Sequence, residues 1–483
     1  MMEKLYDVPL KPALSATGNM YVREHDSTNR TGCVSTDTYF GCLDCRAYAR
    51  YTNLQTVRAC ADVPVQLIHV DESGRETVLN SAEVELSQYP DGYLYVKAEG
   101  PTAIWYEGEG EAKPVRLAII ICTYKREAQV TRNLQILSDA LAADELLSEC
   151  VEVFCVDNGQ TVTAVPPGIH LIPNRNFGGS GGYARGMMAA SHCAYFWLMD
   201  DDITFEPTLL RRVVTFLKYR AEEVRLAAGL FNFEAPTIQR EATATFDGYT
   251  FHSNCGGLDL SEKAALLENK IVGRADYGGW WSMVVPNTDE LPMPFFIKLD
   301  DVEFGLRQKR PLAIMNGFGV WHEAFGNKAN AWSEYYTTRN TLIIQSMYPE
   351  LGHSAVRTMG IRLLKALAYG EPKCMAAALR GAEDYAKGAE VFGTVDPEEN
   401  HRAVMRTFGE RLTADMTRGK MIKTAMKNLL KPHNWRSVGM FARSLALLRS
   451  AVPSDWPALR ARTFWEAYLG LPVISYEREG SRL

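Results

Sequence analysis

The stretch VRLAIIICTYKRE, residues 115–127, decides the fold class of this chain. Its centre is an uninterrupted apolar run, which is typical of a parallel β-strand buried on both faces. Residues 127–142 follow with the apolar spacing of a helix. Further apolar runs that end in polar residues occur at 151–160, 169–174 and 194–202. This alternation predicts an α/β sheet, and such sheets bind their ligands at the carboxyl ends of the strands.

The regions on either side of this α/β segment have a different character. A chain of 483 residues is too long for one hydrophobic core, so several domains are expected. Short alternating segments with turn residues, such as DVPVQLIHVDESGRETVLN, indicate an N-terminal β-sandwich or jelly-roll domain. Helical patterns dominate the C-terminal part. We therefore predict three domains, at residues 1–112, 113–350 and 351–483.

Charge and composition exclude some classes of protein. The net charge of -6 argues against general nucleic-acid binding. No stretch approaches the roughly 18 consecutive apolar residues of a membrane-spanning helix. The first residues, MMEKLYDVPLKPALS, lack the apolar core of a signal peptide, so we expect a cytoplasmic protein. The CxxC pair Cys42 and Cys45 has no second pair, which favours free thiols over a zinc or redox site.

Three consecutive carboxylates follow the apolar run FWLM, residues 196–199. Buried neighbouring carboxylates are costly unless a positive charge neutralises them, and a divalent cation with oxygen ligands is the obvious candidate. Asp200 and Asp202 alternate along the chain, so they point to one side, whereas Asp201 points elsewhere. The alternative is an exposed turn or a helix cap.

A glycine-rich stretch, NRNFGGSGGYARGM, spans residues 174–187. Gly178, Gly179, Gly181 and Gly182 would let the backbone approach a ligand closely and would present amide donors at a helix start. The stretch is neither a phosphate-binding Walker loop nor a dinucleotide fingerprint. The alternative is a flexible loop before a helix.

Three further groups of side chains could complete a site. Trp280 and Trp281 could supply one stacking wall for a sugar, or they could be ordinary core residues. Asp300 and Asp301 follow a short apolar stretch, which suggests a base at a pocket wall. His322 follows another apolar strand, where a neutral imidazole could complete a metal site, although most single histidines are structural.

Seven short blocks occur in one order along the chain: CTYKRE, VDNGQ, NFGGSGGYARGM, FWLMDDDI, YGGWWSMV, FIKLDDVEFGLR and VWHEAF. This set resembles the galactofuranosyltransferases of glycosyltransferase family 2, in detail over residues 115–345. The terminal regions agree with that family in arrangement only. The resemblance implies a GT-A (Rossmann-like) core and inversion at the anomeric carbon. It also implies UDP-galactofuranose as donor and a hydroxyl of a growing cell-surface or lipid-linked glycan as acceptor.

The resemblance also implies roles for single residues. Asp200, Asp202 and His322 would ligate Mn²⁺ or Mg²⁺, and Asp301 would be the general base. Asp300 and Trp281 would shape the acceptor site, and Trp280 would line the sugar pocket. The residues that would hold the nucleotide and diphosphate are Thr123, Arg126, Asp157, Asn176, Gly178, Gly179 and Asp201.

Two alternatives to this function remain open at the level of sequence. One is a transferase that uses another nucleotide sugar, such as dTDP-rhamnose. The other is a non-catalytic glycan-binding assembly protein, although the intact carboxylates and His322 speak against it. We also expect a homo-oligomer. A basic amphipathic helix near residues 420–431 predicts either peripheral contact with the inner face of the cell membrane or a solvated face packed on its own domain.

Overall fold

The computed structural model describes residues 2–25, 33–100, 102–324, 330–352, 354–409, 412, 418–451 and 454–471. The chain divides into two compact units. Unit 1 contains residues 1–173, 190–287 and 304–324, and unit 2 contains residues 174–189, 288–303 and 325–483. Within the described ranges, no helix combines the length and the apolar character needed to cross a lipid bilayer.

The N-terminal part of unit 1 is built almost entirely of strands. Its one α-helix, α1, spans Cys45–Tyr51 and begins at Asp44, whose side chain accepts a hydrogen bond from Ala47 N. The strands are β1 (Glu3–Asp7), β2 (Arg23–His25), β3 (Cys33–Ser35), β4 (Leu43–Asp44), β5 (Leu54–Ala61), β6 (Val65–Val70), β7 (Glu76–Val78), β8 (Glu83–Glu85), β9 (Tyr93–Glu99) and β10 (Ile104–Gly110).

These strands form two antiparallel sheets, as the alternating sequence predicts. One has the order β1-β10-β5-β8, and the other has the order β2-β3-β9-β6-β7, with β4 also paired to β9. Apolar side chains from both sheets belong to one buried cluster that also includes residues of the α/β core. Cys42 and Cys45 are buried free thiols within it, so the CxxC pair is structural in this chain.

The central part of the chain alternates strands and helices. The strands are β11 (Leu117–Thr123), β12 (Val151–Asp157), β13 (Ile169–Pro173), β14 (Tyr195–Asp200), β15 (Thr204–Phe205), β16 (Arg225–Ala227), β17 (Gly229–Asn232), β18 (Ala235–Glu241), β19 (Thr243–Phe246), β20 (Phe251–Asn254), β21 (Ser282–Pro286), β22 (Leu312–Ala313) and β23 (Gly319–His322). The helices are α2 (Glu127–Ala143), α3 (Glu145–Cys150), α4 (Gly178–Ala189), α5 (Leu209–Lys218), α6 (Lys263–Glu268) and α7 (Asp300–Leu306).

The main sheet has seven strands in the order β13-β12-β11-β14-β21-β16-β22. The first four are parallel, and they are the four strands that the apolar runs predict. β21 then joins β14 antiparallel, which makes the sheet mixed. The apolar spacing could not show this, because it is blind to the direction in which a strand runs.

A second sheet of four strands, in the order β15-β23-β17-β18, places the predicted histidine. β15 begins two residues after Asp202 and pairs antiparallel with β23, with Thr204 opposite Trp321. Continuing this register by one residue places Ile203 opposite His322, the last residue of β23, and Asp202 is the next residue along the chain. Non-local strand pairing therefore unites two parts of the sequence that lie 120 residues apart in the chain.

Unit 2 is helical, as the C-terminal sequence predicts. After α4 and the start of α7, its helices are α8 (Ser333–Met347), α9 (Ala355–Tyr369), α10 (Pro372–Ala386), α11 (Val391–Thr394), α12 (Pro397–Phe408), α13 (Arg418–Leu429), α14 (Trp435–Arg449) and α15 (Arg462–Tyr468). Small residues on α10 allow close packing: a side chain at Gly381 would overlap the Tyr335 carbonyl of α8.

Candidate active site

The carboxylates at the end of β14 and the imidazole at the end of β23 form one cluster. Asp200, Asp202 and His322 each present a ligand atom, and these atoms all lie within 4.8 Å of one another. His322 Nε2 lies 3.0 Å from Asp202 Oδ1. Two carboxylates and one imidazole suit a hard or borderline divalent cation. The structure therefore assembles the three residues that the resemblance assigns to metal binding.

The pKa shifts in this cluster are those expected of the ligands of a cation site, considered without the cation. Burial and then the neighbouring Asp202 raise the pKa of Asp200 to about 6. Burial by itself lowers the pKa of His322, but Asp202 and Asp200 outweigh burial, so this pKa is raised overall. Protonation of the ring would offset part of the acidic charge. A bound cation would supply that charge instead and would favour the ionised carboxylates.

Asp201 lies in the turn after β14, and its carboxylate is held by residues outside the cluster. Its carboxylate accepts hydrogen bonds from Thr123 Oγ1 at 2.7 Å and from Arg126 Nη1 at 2.8 Å. The Arg126 guanidinium also lies 2.6 Å from Asp202 Oδ2. Burial raises the pKa of Asp201, although Arg126 opposes this effect. Thr123, Arg126 and Asp201 therefore form one hydrogen-bonded group at the carboxyl ends of β11 and β14.

Asp157 occupies the end of β12 and organises the turn after that strand. Its Oδ1 accepts from Gly159 N at 2.9 Å, and its Oδ2 accepts from Thr161 N and Val162 N, both at 2.7 Å. This carboxylate therefore shapes the turn after β12. Its predicted contact with the uridine stays a prediction.

The tryptophan pair lies in unit 1 and is buried. Trp281 belongs to the main core cluster, and its Nε1 donates to Ala228 O at 3.3 Å. Trp280 meets Phe304 edge to face, with ring centroids 5.6 Å apart. Core packing therefore accounts for the burial of much of the Trp281 side chain. The roles that the resemblance gives to both rings stay predictions.

In unit 2, the glycine-rich stretch forms the first turn of α4. Gly178, Gly179, Gly181 and Gly182 lie inside the helix, which begins at Gly178, so the expectation of a loop before the helix is wrong. Asn176 caps this helix start, since its Oδ1 accepts from Gly178 N at 3.1 Å. The first amide groups of a helix have no acceptor within that helix, and here Asn176 supplies an acceptor for Gly178.

Gly178 is required by its backbone and by its surroundings. Its φ is +71°, and an added Cβ would lie 2.0 Å from the Phe296 carbonyl oxygen. We expect Gly178→Ala to destabilise the protein by about 2–4 kcal/mol, because it combines a left-handed conformation with overpacking. The matched control is Gly360→Ala in α9, which has open space and should stabilise by roughly 0.5–1 kcal/mol. Urea denaturation of both variants measures the difference, and equal midpoints would contradict the expectation.

The acidic pair begins α7. Asp300 accepts a hydrogen bond from Ser180 Oγ at 2.9 Å, and burial raises the pKa of its carboxyl group. Asp301 Oδ1 accepts from Val302 N at 2.8 Å. Glu303, one turn on, is fully buried and anchors the helix to Tyr348 at 3.0 Å and to Arg460 at 2.8 Å. The two aspartates therefore stand on a helix whose third carboxylate holds it in place.

The loop before α7 contains features that the sequence did not reveal. Phe296, Lys298 and Leu299 all have positive φ, an uncommon conformation for residues other than glycine. Asn340 on α8 donates to the carbonyls of Ile297 at 3.1 Å and Lys298 at 2.8 Å. Backbone strain of this kind persists only where the surroundings impose it. Neither Asn340 nor Ser180 carries a local sequence signal that would have marked it.

Comparison with known proteins adds to this geometry. The family described as "Glycosyl transferase family 2" matches residues 118–237. A protein named galactofuranosyltransferase GlfT2 from Mycobacterium tuberculosis (strain ATCC 25618 / H37Rv) is 28% identical over 363 residues, which is 64% of this chain and 55% of that protein. The protein of the same name from Mycolicibacterium smegmatis (strain ATCC 700084 / mc(2)155) is 25% identical over 380 residues, 65% of this chain and 58% of that protein. The chain thus spans little more than half the length of these relatives.

Two solved structures show weaker likeness. GalNAc-T7 with UDP, GalNAc and Mn²⁺ is 9% identical, with a TM-score of 0.33 over 45% of each chain. Mannosyltransferase PcManGT from Pyrobaculum calidifontis, in complex with GDP-Man and Mn²⁺, is 10% identical, with a TM-score of 0.31 over 70% of this chain and 87% of that one. Scores this low add nothing to the assignment.

The sequence match and the observed sheets agree with each other. Residues 118–237 contain the four parallel strands and all three carboxylates of the acidic run. The mixed α/β core, the N-terminal β-sheets and the C-terminal helices confirm the predicted fold class. Residues 118–237 of this chain therefore match glycosyltransferase family 2, and the chain is similar to two proteins named galactofuranosyltransferase GlfT2.

Proposed function

We propose that this protein is a metal-dependent, inverting glycosyltransferase that moves galactofuranose from UDP-galactofuranose to a hydroxyl of a growing cell-surface glycan. The observation that carries the proposal is the cluster of Asp200, Asp202 and His322 at the carboxyl ends of β14 and β23. Its position follows the rule for ligand binding in open α/β sheets. The named relatives support the choice of sugar.

Asp200, Asp202 and His322 would hold Mn²⁺ or Mg²⁺. Such an ion stabilises the negative charge that develops on the leaving diphosphate without any transfer of a proton. The protein's own contribution is to hold the ligand set ready. Strand pairing positions His322, and Arg126 restrains Asp202 from the other side.

Asp301 is proposed as the general base that accepts the proton of the acceptor hydroxyl. A sugar hydroxyl is a weak nucleophile, so a carboxylate must take its proton as the new bond forms. Direct displacement with one base inverts the anomeric carbon, whereas retention would require a nucleophile on the enzyme, as in retaining glycosidases. Asp300 and Trp281 are proposed to shape the acceptor site, and Trp280 to line the sugar pocket.

The nucleotide is assigned to residues at the ends of β11 and β12 and at the start of α4. Thr123, Arg126, Asp157 and Asn176 are proposed to hold the uridine and ribose. Gly178 and Gly179 are proposed to lie near the diphosphate and donor sugar, since helix N-termini favour anions. Asp201 would act by orienting Thr123 and Arg126, with which it is hydrogen bonded.

A screen of nucleotide sugars with Mn²⁺ tests the proposal. Purified protein and a galactan-type oligosaccharide acceptor are incubated with UDP-galactofuranose, UDP-galactopyranose and dTDP-rhamnose, and nucleotide release and the product are measured. We expect turnover with UDP-galactofuranose, loss of turnover with a chelator, and a product whose anomeric configuration is opposite to that of the donor. Preferential turnover of dTDP-rhamnose, or glycan binding without turnover of any donor, would overturn the assignment.

The C-terminal helices support peripheral contact with an anionic membrane, which we propose as a part of the function. In α13, Ala425 is buried against Leu367 and Ala368, so one edge of the apolar face is packed within unit 2. The other edge is open: Met426 is 69% exposed and Leu430 is 83% exposed. Lysines 420, 423, 427 and 431 flank this surface. The packed edge agrees with a helix that packs on its own domain, and the exposed edge is the observation that supports the proposed membrane contact. The homo-oligomer stays a proposal as well.

We expect Leu430→Ser to weaken binding to vesicles that contain phosphatidylserine by roughly tenfold or more, because about 1.5–3 kcal/mol of apolar burial is lost. Val272→Ser is the control, since Val272 is 72% exposed and lies in unit 1, outside the C-terminal helices. Vesicle sedimentation at physiological salt measures both. If wild-type protein stays in the supernatant with anionic vesicles, membrane contact through this surface is ruled out.

A further inference from the structure

A second group of potential metal ligands lies at the other end of the main sheet. In the described part of the chain, Glu152, His192 and Cys193 also bring one ligand atom each within 4.8 Å of the others. Glu152 belongs to β12, and the other two residues precede β14. Glu152 and Phe196 both pair with Ala118, so Glu152 lies about 13 Å before the level of Asp200 by strand rise alone. It is therefore separate from the candidate active site.

We propose that Glu152, His192 and Cys193 form a zinc site that ties β12 to the segment before β14. Zinc is chosen because of the chemistry of the three ligand atoms. Sulfur, imidazole nitrogen and carboxylate oxygen are the three kinds of ligand that zinc accepts. Mn²⁺ and Mg²⁺ prefer oxygen ligands, so the two sites should discriminate between metals.

The distances are close to those a zinc ion requires. Zinc bonds of about 2.0–2.3 Å in a tetrahedron place ligand atoms about 3.5 Å apart. Cys193 Sγ lies 3.6 Å from Glu152 Oε1, and His192 Nε2 lies 2.7 Å from the same oxygen. Only the imidazole must move outward, and its side chain is 46% exposed and able to turn. Three protein ligands leave a fourth position for water.

The protein holds two of these ligands in place before any ion binds. Asn287 Nδ2 donates to the carbonyls of Ser191 at 3.0 Å and Cys193 at 2.8 Å, which fixes the backbone at the cysteine. Cys193 itself is only 2% exposed. The strand neighbour of Glu152 on β11 is Ala118, whose methyl group leaves space beside the carboxylate.

His170 on β13 supports the carboxylate from its other side. Its Nε2 lies 3.7 Å from Glu152 Oε2, and its ring stacks on Phe154 with centroids 4.7 Å apart. Partners of this kind orient the ligands of metal sites. His170 is therefore a positioning residue in this proposal. The Glu152 carboxylate is contacted by three side chains, those of His170, His192 and Cys193.

The test uses the full chain with Asp202→Asn, which disables the first metal cluster. Chelator-treated protein receives one equivalent of ZnCl₂, is desalted, and is analysed for zinc by elemental analysis. CoCl₂ in place of zinc reports sulfur ligation through its thiolate-to-cobalt absorption. We expect about one zinc retained per chain, and a zinc affinity at least about tenfold lower after Cys193→Ser or His192→Ala.

The matched control is His252→Ala. His252 forms a similar surface pair with Asp247, with 3.1 Å between Nε2 and Oδ2, in a different part of unit 1. It should retain zinc like the parent. Zinc retention or a cobalt–thiolate signal that survives both Cys193→Ser and His192→Ala would overturn the proposal, as would the absence of retained zinc in the parent. If Cys193→Ser fails to fold, His192→Ala decides alone, because its side chain is largely at the surface. None of these readouts depends on sugar transfer.

Discussion

Asp202→Asn is expected to reduce glycosyl transfer by about a thousandfold, the kinetic equivalent of roughly 4 kcal/mol of transition-state stabilisation. The substitution keeps the size of the side chain but removes the charge. Asp202 is the member of the cluster that contacts both His322 at 3.0 Å and Arg126 at 2.6 Å. Without its charge, the cluster loses both affinity for the ion and the restraint on the imidazole.

Two measurements separate this effect from damage to the fold. Titration with Mn²⁺ should show a large loss of affinity, while circular dichroism and the urea midpoint should stay near those of the parent. Asp247→Asn serves as control, because it alters another Asp–His pair of similar length on the surface. Its transfer rate should remain unchanged. Normal Mn²⁺ affinity in Asp202→Asn would exclude this carboxylate from the metal site.

Asp301→Asn is expected to lower turnover by roughly 10²–10⁴-fold, the contribution of a positioned general base. The amide cannot accept the acceptor proton, yet its oxygen can still accept the hydrogen bond that Asp301 Oδ1 receives from Val302 N at 2.8 Å. Binding of UDP and Mn²⁺ should be unaffected. The loss should therefore fall on kcat, with little change in the affinity for the donor.

Comparison with its neighbour sharpens this prediction. Asp300→Asn also removes a charge, but Asp300 accepts a hydrogen bond from Ser180 at 2.9 Å and is proposed to shape the acceptor site. We expect it to raise KM for the acceptor more than it lowers kcat. Asp455→Asn, at an exposed position in unit 2 whose side chain makes no capping hydrogen bond, is the silent control. Equal kinetic losses in Asp300→Asn and Asp301→Asn would remove the case for a single base.

Much of this site could be predicted from the sequence, because most of its residues belong to short contiguous patterns. The strands β11, β12, β13 and β14 are apolar runs, and the polar residues after them are read directly from the chain. The sequence also separates Asp201 from Asp200 and Asp202. Strand β14 ends at Asp200, and in the turn after it the carboxylate of Asp201 accepts hydrogen bonds from Thr123 and Arg126. The blocks that carry the family resemblance are likewise short and contiguous.

Other features could not be predicted from the sequence, because they depend on contacts with residues that are distant along the chain. The glycine-rich stretch was expected as a loop but forms the first turn of α4. Its glycines are tolerated there because Gly178 lies against the Phe296 carbonyl, a neighbour that no local pattern reveals. The positive φ angles of the loop before α7 likewise depend on Asn340 from a helix about 40 residues later, as two hydrogen bonds to that loop show.

By itself, the sequence determined the fold class, the presence of the four parallel strands, the helical C-terminal region and the identity of the acidic run. These properties follow from periodicity and side-chain chemistry within a few residues. Only the tertiary structure decided that β21 runs antiparallel, that Asp157 organises a turn, and that His322 meets Asp202. Such contacts are set by strand register and packing between distant segments, and no local preference encodes them.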